Sequence, residues 1–182
     1  MSMSRKIFRP GAGQTHQNFI VAFAEVATYP NDLVGLSTTA PASQGSSGVL
    51  EGKTLGDYDY IYADLMDTNA TDGAFSVGTQ LGVCVGKSIN AVSDRTNVIN
   101  DVVAADTLMV IQNWGITRLV YCDATVAAGA VLTTGTTEAA VTDATTSLLQ
   151  NHVGLAMATQ ETYSRAAATD VQGVPAFIRC NF

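Results

Sequence analysis

The sequence predicts a mainly β protein: a small β-barrel or sandwich with one short helix and an extended N-terminal arm. Only 14 % of the residues are charged, while alanine, valine, threonine and glycine are abundant, a composition typical of compact β-rich domains. Short apolar runs recur along the chain between turns rich in Gly, Thr and Asp. A length of 182 residues suits one domain with a buried core.

The first segment of the chain is predicted to be an arm. Residues 1–18 contain Pro10, Gly11 and Gly13, which break helices, and they show no apolar period. We therefore expect an extended N-terminal docking arm, followed by a single β-rich domain at 19–182.

The first half of that domain combines strands with one long loop. Residues 19–27 are predicted to be a buried strand, and residues 75–86 a strand interrupted by glycines, as at a bulge. Residues 37–56, rich in Ser, Thr and Gly, are predicted to be a long loop of functional or mobile character.

One segment has helical spacing. In residues 93–106, Ser93 or Asp94 could cap a helix, and apolar residues follow at intervals of four: Val98 and Val102, Ile99 and Val103. We expect about ten residues of helix there.

From residue 107 onward the pattern is β throughout. Two apolar runs on either side of Trp114-Gly115 predict a hairpin or a bulged pair. Further strands are predicted at residues 138–142, 152–159 and 174–182, which favours a small barrel or sandwich.

The charge is unevenly distributed. Arg5, Lys6 and Arg9 supply three of the nine basic residues, so the rest of the chain carries 6 basic against 16 acidic residues, within a net charge of -7. An acidic body argues against a nucleic-acid partner, which would require a basic face. No apolar run approaches a membrane span, and no signal-peptide core follows the basic start, so we expect no membrane partner and assembly in a reducing cytoplasm.

The metal-ligating residue types are few and scattered. Cys84, Cys122 and Cys180 form no CxxC pair, and His16 and His152 lie far from them in sequence. Buried reduced thiols are the favoured interpretation; a zinc site or a disulfide is the alternative.

No catalytic or cofactor motif is present. The stretch 122–135 lacks the lysine of a phosphate-binding loop, and the serines of 45–49 do not form a GxSxG elbow. Residues 67–73 resemble the start of a calcium loop, but Gly78 stands where the bidentate glutamate belongs. We expect a solvated acidic loop there, no cofactor, no metal and no enzymatic activity.

Three tyrosines share one predicted strand face. Tyr58, Tyr60 and Tyr62 lie two residues apart, which places their rings on one side of a strand. A face that packs in the core or in a subunit interface is the favoured interpretation, and a glycan-stacking face is the alternative.

The arm has the composition of a partner-binding segment. Arg5, Lys6, Ile7, Phe8 and Arg9 combine three cations with two apolar side chains, which suits docking on an acidic protein surface. The alternative is a solvated tail.

The C-terminal part, residues 107–182, resembles a known family. Its strands contain two short motifs, one of the form T-V-x-A-G-x-x-L and one of the form V-G-[LIV]-A. They are matched by Thr125, Val126, Ala128, Gly129 and Leu132, and by Val153, Gly154, Leu155 and Ala156. In this the chain is similar to the small β-barrel capsid decoration, or head cement, proteins of tailed bacteriophages. Lipoyl-type domains use a similar turn, but neither Lys53 nor Lys87 has the context of their modified lysine.

The resemblance implies a structural virion protein without catalytic residues. Such a protein is made and assembled in the host cytoplasm, binds the outer surface of the capsid and stabilises it by bridging subunits of the major capsid protein. It further implies a homo-oligomer on the shell, a trimer or a dimer. The alternative function is a head-fibre, tail or vertex module that binds a host-surface glycan or receptor.

Overall fold

The computed structural model describes residues 18–37, 61–66, 80–87, 102–144, 152–165 and 169–180. Within these ranges the chain is mainly β and contains no helix, so the mainly β prediction is confirmed. The strands are β1 (Asn18–Ala24), β2 (Leu33–Leu36), β3 (Ile61–Leu65), β4 (Gln80–Lys87), β5 (Leu108–Cys122), β6 (Val131–Thr134), β7 (Val141–Asp143), β8 (His152–Ala156), β9 (Glu161–Arg165) and β10 (Thr169–Arg179).

The strand pairings close two rings that share β5. The first ring runs in the order β1-β3-β2-β4-β5 and closes through the pairing of β1 with β5. The second ring runs in the order β5-β7-β6-β8-β10 and closes through the pairing of β5 with β10. A sheet that closes on itself leaves no backbone edge unpaired. Among the described strands, only β9 stands outside both rings, paired with the first half of β10.

β5 belongs to both rings because it is 15 residues long. Its first half pairs with β1 from Leu108 to Trp114, and its second half pairs with β10 from Trp114 to Cys122. The hairpin predicted at Trp114-Gly115 is therefore wrong. The strand changes partners at this point instead of turning, and Gly115 adopts a φ of 106°, which a residue with a side chain would rarely take.

The predicted bulge is found at this change of partners. Asn18 lies opposite Trp114 while Phe19 lies opposite Gln112, which leaves Asn113 as the extra residue in β5. The amide Nε2 of Gln112 donates to the carbonyl oxygens of Trp114 and Ile116, at 3.3 and 3.0 Å. The buried side chain thus holds the strand together where its regular pairing is interrupted.

The glycine-interrupted strand predicted at 75–86 is also found in its described part, as β4. Its register shifts between Cys84 and Gly86, which is the expected bulge. A Cβ on Gly82 would lie 2.2 Å from the carbonyl oxygen of Gln112, so only glycine allows β4 to approach β5 this closely.

The described end of the predicted helix is not helical. Val103 forms an isolated bridge with Thr28, in which each backbone N–H donates to the carbonyl of the other at 2.8 and 2.9 Å. Residues 93–101 lie outside the described residues, so a helix there stays a prediction.

Each ring has its own apolar interior. The core of the first ring combines three alanines, Ala22, Ala24 and Ala63, with larger side chains such as Met109 and Ile111. The second core is larger and reaches back into the first ring. It contains Leu33, Met66, Val83, Val120, Cys122, Val126, Leu132, Val141, Val153, Ala156, Val174, Ala176, Ile178 and Cys180. The rings are therefore joined both by β5 and by side chains that pack across their junction.

Candidate protein-binding face

A row of apolar side chains crosses four strands of the second ring on its solvent side. Ile116 of β5 lies opposite Phe177 of β10, and Phe177 lies opposite Leu155 of β8. Leu155 in turn lies opposite Val131 of β6. Directly opposed residues point to the same side of a sheet, so the four side chains share one face. Ile116, Leu155 and Val131 are 38, 41 and 38 % exposed.

An aromatic pair extends this row on the side of the first ring. Trp114 packs edge-on against Phe177, with ring centroids 5.4 Å apart. The guanidinium of Arg179 lies over the Trp114 ring, 5.7 Å from its centroid. Trp114 is nevertheless 38 % exposed, so its ring remains available to a partner. We call the surface formed by Trp114, Ile116, Val131, Leu155 and Phe177 the outer face.

The alternation of β5 and β10 explains why this face exists. In β10, Val174, Ala176 and Ile178 are buried in the second core, while the residues between them point outward. The outward positions include Phe177 beside the charged Arg179, so β10 carries an apolar side chain on its solvent side as well as on its core side. A strand of this kind needs a covering layer on each side or leaves an apolar surface exposed.

The outer face has no negative charge. Strands β5, β6 and β8 contain neither Asp nor Glu, although the chain has 16 acidic residues. The one carboxylate of β10, Asp170, lies at the end of that strand that pairs with β9, where it accepts a hydrogen bond from Ser164 Oγ at 3.0 Å. Two exposed arginines, Arg118 and Arg179, stand on the outward positions of β5 and β10. Aromatic side chains and arginine in the absence of carboxylates are typical of protein–protein interfaces.

A second cluster, which we call the polar cluster, is buried between the rings. It consists of Tyr29, Asp32, Tyr121, Tyr163 and Arg165. A turn from Tyr29 to Asp32 positions the aspartate, since the Asp32 N–H donates to the Tyr29 carbonyl at 3.1 Å and the Tyr29 N–H donates to Asp32 Oδ2 at 2.9 Å. Pro30 and Asn31, with a φ of 77° at Asn31, suit the two central positions of such a turn.

The ion pair of the polar cluster joins distant parts of the chain. The Arg165 guanidinium donates to Asp32 Oδ2 at 2.6 Å, and it lies between the rings of Tyr29 and Tyr121, 4.7 Å from each centroid. The Asp32 side chain is fully buried, and that of Arg165 is 20 % exposed. Arg165 lies on β9, so the ion pair fixes the one described strand outside both rings to the turn after β1.

Burial dominates the electrostatics of this cluster. Loss of hydration raises the pKa of Asp32 to about 6, although Arg165 and the Tyr29 N–H both act to lower it. The second carboxylate oxygen, Oδ1, has no hydrogen-bond partner in the described structure. Burial also raises the pKa of Tyr163 above its usual value. The arrangement fixes β9 to the turn after β1, so we assign it to the fold.

The stretch 122–135, which lacks the lysine of a phosphate-binding loop, contains the turn between two strands. β5 ends at Cys122, β6 begins at Val131, and Gly129 between them has a φ of 82°. Asp123 has a structural role: its Oδ2 accepts hydrogen bonds from Thr136 Oγ1 and the Thr137 N–H, both at 2.7 Å.

The sequence-predicted site residues fall mostly outside the described part of the chain. Arg5, Lys6, Ile7, Phe8 and Arg9 all do, so their docking role stays a prediction. The same holds for Tyr58 and Tyr60.

Tyr62 is described, and it is 3 % exposed. Its ring stacks on Phe23 at 5.5 Å between centroids, and its hydroxyl donates to Asp106 Oδ1 at 3.2 Å. Tyr62 therefore packs in the core, and a ring buried in this way presents no surface to a sugar.

The remaining polar groups show no sign of a metal site in the described ranges. Cys84, Cys122 and Cys180 are free and buried, as expected, and burial raises the pKa values of their thiols to about 12, 11 and 12. Over the same ranges no three His, Cys, Asp or Glu side chains are grouped so as to hold a metal ion. Nor does any helix there have the length and hydropathy to cross a membrane.

Comparison with known proteins gives no relative. No family model matches the chain, and no curated protein and no solved structure is significantly similar to it.

Proposed function

We propose that this protein is a structural component of a virion: a decoration, or cement, protein on the outer surface of a tailed-phage capsid. In this role it stabilises the shell by bridging subunits of the major capsid protein. The observation that carries the proposal is the position of the two motifs of the family resemblance. The first lies in the turn before β6 and at the start of that strand, the second forms most of β8, and β6 and β8 are neighbours in the second ring.

The contact between the two motifs is made by their own backbones. The Gly129 N–H donates to the Ala156 carbonyl at 2.9 Å, and the Ala156 N–H donates to the Ala130 carbonyl at 2.8 Å. Leu132 of the first motif lies opposite Gly154 of the second. A Cβ on Gly154 would lie 2.1 Å from the carbonyl oxygen of Phe177, so this glycine is needed where β8 meets β10. The residues of the two motifs thus lie against each other in one part of the second ring, and this contact is what supports the proposal.

The surface of the second ring has the composition expected of a protein that works by binding other proteins. Its outer face is apolar and free of carboxylates, in a chain whose net charge is -7. The arm joins the domain beside this face, since β1 begins at Asn18, opposite Trp114. In the proposed role, Arg5, Lys6, Ile7, Phe8 and Arg9 contact the shell next to the second ring.

A binding assay with capsids tests the role of the arm. A variant lacking residues 1–17 keeps all of β1, because that strand begins at Asn18. Mixed with expanded heads that lack the protein, this variant should keep its β-type circular dichroism but no longer sediment with the heads. A matched control carries the same 17 residues in scrambled order. Equal head binding by the truncated and full-length proteins would contradict the docking role of the arm.

The number of copies in purified particles tests the function itself. A decoration protein is expected in numbers comparable to those of the major capsid protein, measured by quantitative mass spectrometry. Numbers typical of a tail or vertex component would instead support the head-fibre, tail or vertex alternative, and absence from particles would overturn the proposal.

A further inference from the structure

We propose that Tyr29, Asp32 and Tyr121 form a binding site for guanidinium cations, and that Arg165 of the same chain occupies it. We call these three residues the cation site. β9 is then a strap, a strand held to the molecule by a side chain that a free guanidinium compound can replace. The inference goes beyond the proposed function and does not depend on it, because it concerns a contact within one molecule.

The cation site has the chemistry that a guanidinium group requires. The Arg165 guanidinium lies 4.7 Å from the centroids of the Tyr29 and Tyr121 rings, within the range of a cation–π contact. It also donates to Asp32 Oδ2 at 2.6 Å. A flat, weakly hydrated cation can contact two aromatic rings and a carboxylate together, whereas a compact ammonium ion loses more hydration in doing so. The site should therefore prefer guanidinium to ammonium.

The cation site is held in place without β9. The Asn31 N–H donates to the Cys84 carbonyl, and the Cys84 N–H donates to the Asp32 carbonyl, both at 2.8 Å. The Tyr121 N–H donates to the Asn31 carbonyl at 2.9 Å. These bonds join the turn after β1 to β4 and β5, and none of them involves Arg165 or its strand. A guanidinium compound therefore finds the site already organised when Arg165 is removed.

The aspartate of the site needs a cation beside it. Its side chain is fully buried, and its Oδ1 has no hydrogen-bond partner among the described residues. A carboxylate in this position is unfavourable without a positive charge, because burial removes its hydration. A free guanidinium compound is not tethered to β9, so it can turn to donate to both carboxylate oxygens, as paired N–H groups do. Arg165 donates to Oδ2 alone.

β9 has few other attachments to the molecule. It is the one described strand outside both rings, it pairs only with the first half of β10, and none of its five residues is fully buried. Strands of this kind open locally at a lower free energy than the core does. The Arg165 side chain is 20 % exposed, so the cation site lies near the surface and a small cation can reach it when β9 opens.

Methylguanidinium binding to the variant Arg165→Ala tests the proposal. The measurement is made at alkaline pH, where the aspartate is charged, because burial raises the pKa of Asp32 to about 6. At about ten times its dissociation constant, methylguanidinium should raise the melting temperature of the variant by roughly 3–6 °C. Methylammonium and NaCl at equal concentrations are the ligand controls and should have a smaller effect.

Two further variants identify the site. The matched control is Arg179→Ala, which removes an arginine from the single ring of Trp114 and should not respond to methylguanidinium. Asp32→Asn added to Arg165→Ala should weaken methylguanidinium binding by about 10-fold or more, because a hydrogen bond to a charged group is lost. Isothermal titration calorimetry measures the dissociation constants.

Hydrogen exchange of the wild-type protein tests the strap and needs no variant. Methylguanidinium competes with Arg165 each time β9 opens, so at about ten times its dissociation constant it should speed exchange of the β9 amides about 10-fold. The amides of Ala176, Phe177 and Ile178, in the part of β10 that pairs with β5 and β8, are the internal control and should not change.

The proposal is overturned if methylguanidinium raises the melting temperature of Arg165→Ala no more than methylammonium does. An equal response of Arg179→Ala overturns it as well, since the effect would then not come from the cation site. So does wild-type β9 exchange that methylguanidinium leaves unchanged, and this last measurement decides alone if Arg165→Ala does not fold.

Discussion

The outer face exposes apolar side chains to solvent, whereas the polar cluster buries charged ones. The outer face exposes tryptophan, isoleucine and leucine to solvent, while the polar cluster buries an aspartate completely and an arginine largely. Exposing apolar side chains to water costs free energy, and polar side chains at the same positions would avoid that cost in a monomer. A buried ion pair is likewise costly, because the loss of hydration offsets much of its attraction.

The difference shows where each region acts. The polar cluster acts within the molecule, since Asp32 and Arg165 connect the turn after β1 to β9 across 133 positions in sequence. The outer face makes no comparable contribution to the fold, because its side chains point away from the second core. Substitutions should therefore affect stability at the polar cluster and association at the outer face.

The largest loss of stability is expected for Arg165→Met. Removing the cation leaves the buried carboxylate of Asp32 without its partner, which typically costs about 3–5 kcal/mol of unfolding free energy. The matched control is Arg179→Met, which removes an exposed arginine from the Trp114 ring and should cost less than about 1 kcal/mol. Urea unfolding followed by circular dichroism measures both. Equal losses in the two variants would contradict the structural role of the ion pair.

The backbone beneath the outer face should be almost as sensitive. Gly154→Ala places a methyl group against the carbonyl oxygen of Phe177 and should cost about 3 kcal/mol, since β8 must move away from β10. The control is Gly129→Ala, where nothing lies within 4 Å of the added methyl and only the φ of 82° is unfavourable. That substitution should cost about 1 kcal/mol. The prediction is wrong if thermal unfolding shows Gly154→Ala to be as stable as Gly129→Ala.

Stability should depend on pH through Asp32. Its pKa of about 6 in the folded protein exceeds its ordinary value of 3.8, so the folded state binds the proton more tightly than the unfolded state does. The resulting stabilisation is complete below about pH 4 and is lost as the pH rises through 6. At most roughly 3 kcal/mol is involved.

Urea unfolding between pH 4 and 8 measures this dependence. The difference in stability between wild type and Asp32→Asn should change through this interval, because the variant lacks the titrating group. A constant difference across the whole range would show that Asp32 does not titrate there.

The smallest effect on stability is expected at the outer face. Leu155→Ser should change the unfolding free energy by less than about 0.5 kcal/mol, because the side chain is already 41 % exposed. Leu132→Ser, in the neighbouring strand, is the control, and its fully buried position predicts a loss above about 2 kcal/mol. A large loss for Leu155→Ser would mean that the outer face supports the fold.

Local patterns in the sequence predicted the local features of this fold. Glycines in an apolar run predicted the bulge of β4, where the register shifts between Cys84 and Gly86. The β9 strand was missed because its residues, ETYSR, are mostly polar and its burial depends on a cluster formed with Asp32. No local pattern signals a pair of residues 133 positions apart.

The outer face was missed for a related reason. The alternation of Trp114, Ile116 and Arg118 is visible in the sequence, but both sides of β5 are apolar, so periodicity does not tell which side faces solvent. The expected hairpin at Trp114-Gly115 also led away from the outer face, because a turn there would place Trp114 and Ile116 on different strands. Only the pairing of β5 with β10 brings Ile116 next to Phe177.

The fluorescence of Trp114 tests the central claim, that the outer face is where this molecule associates. Trp114 is the single tryptophan of the chain and lies on that face, 38 % exposed. Its emission should shift to shorter wavelength, and its quenching by acrylamide should fall, as the concentration of the wild-type protein is raised and the homo-oligomer implied by the family resemblance forms. The emission of Leu155→Asp should stay unchanged over the same range. If the wild-type emission and quenching do not change while the protein is shown to associate, association takes place elsewhere and the claim is wrong.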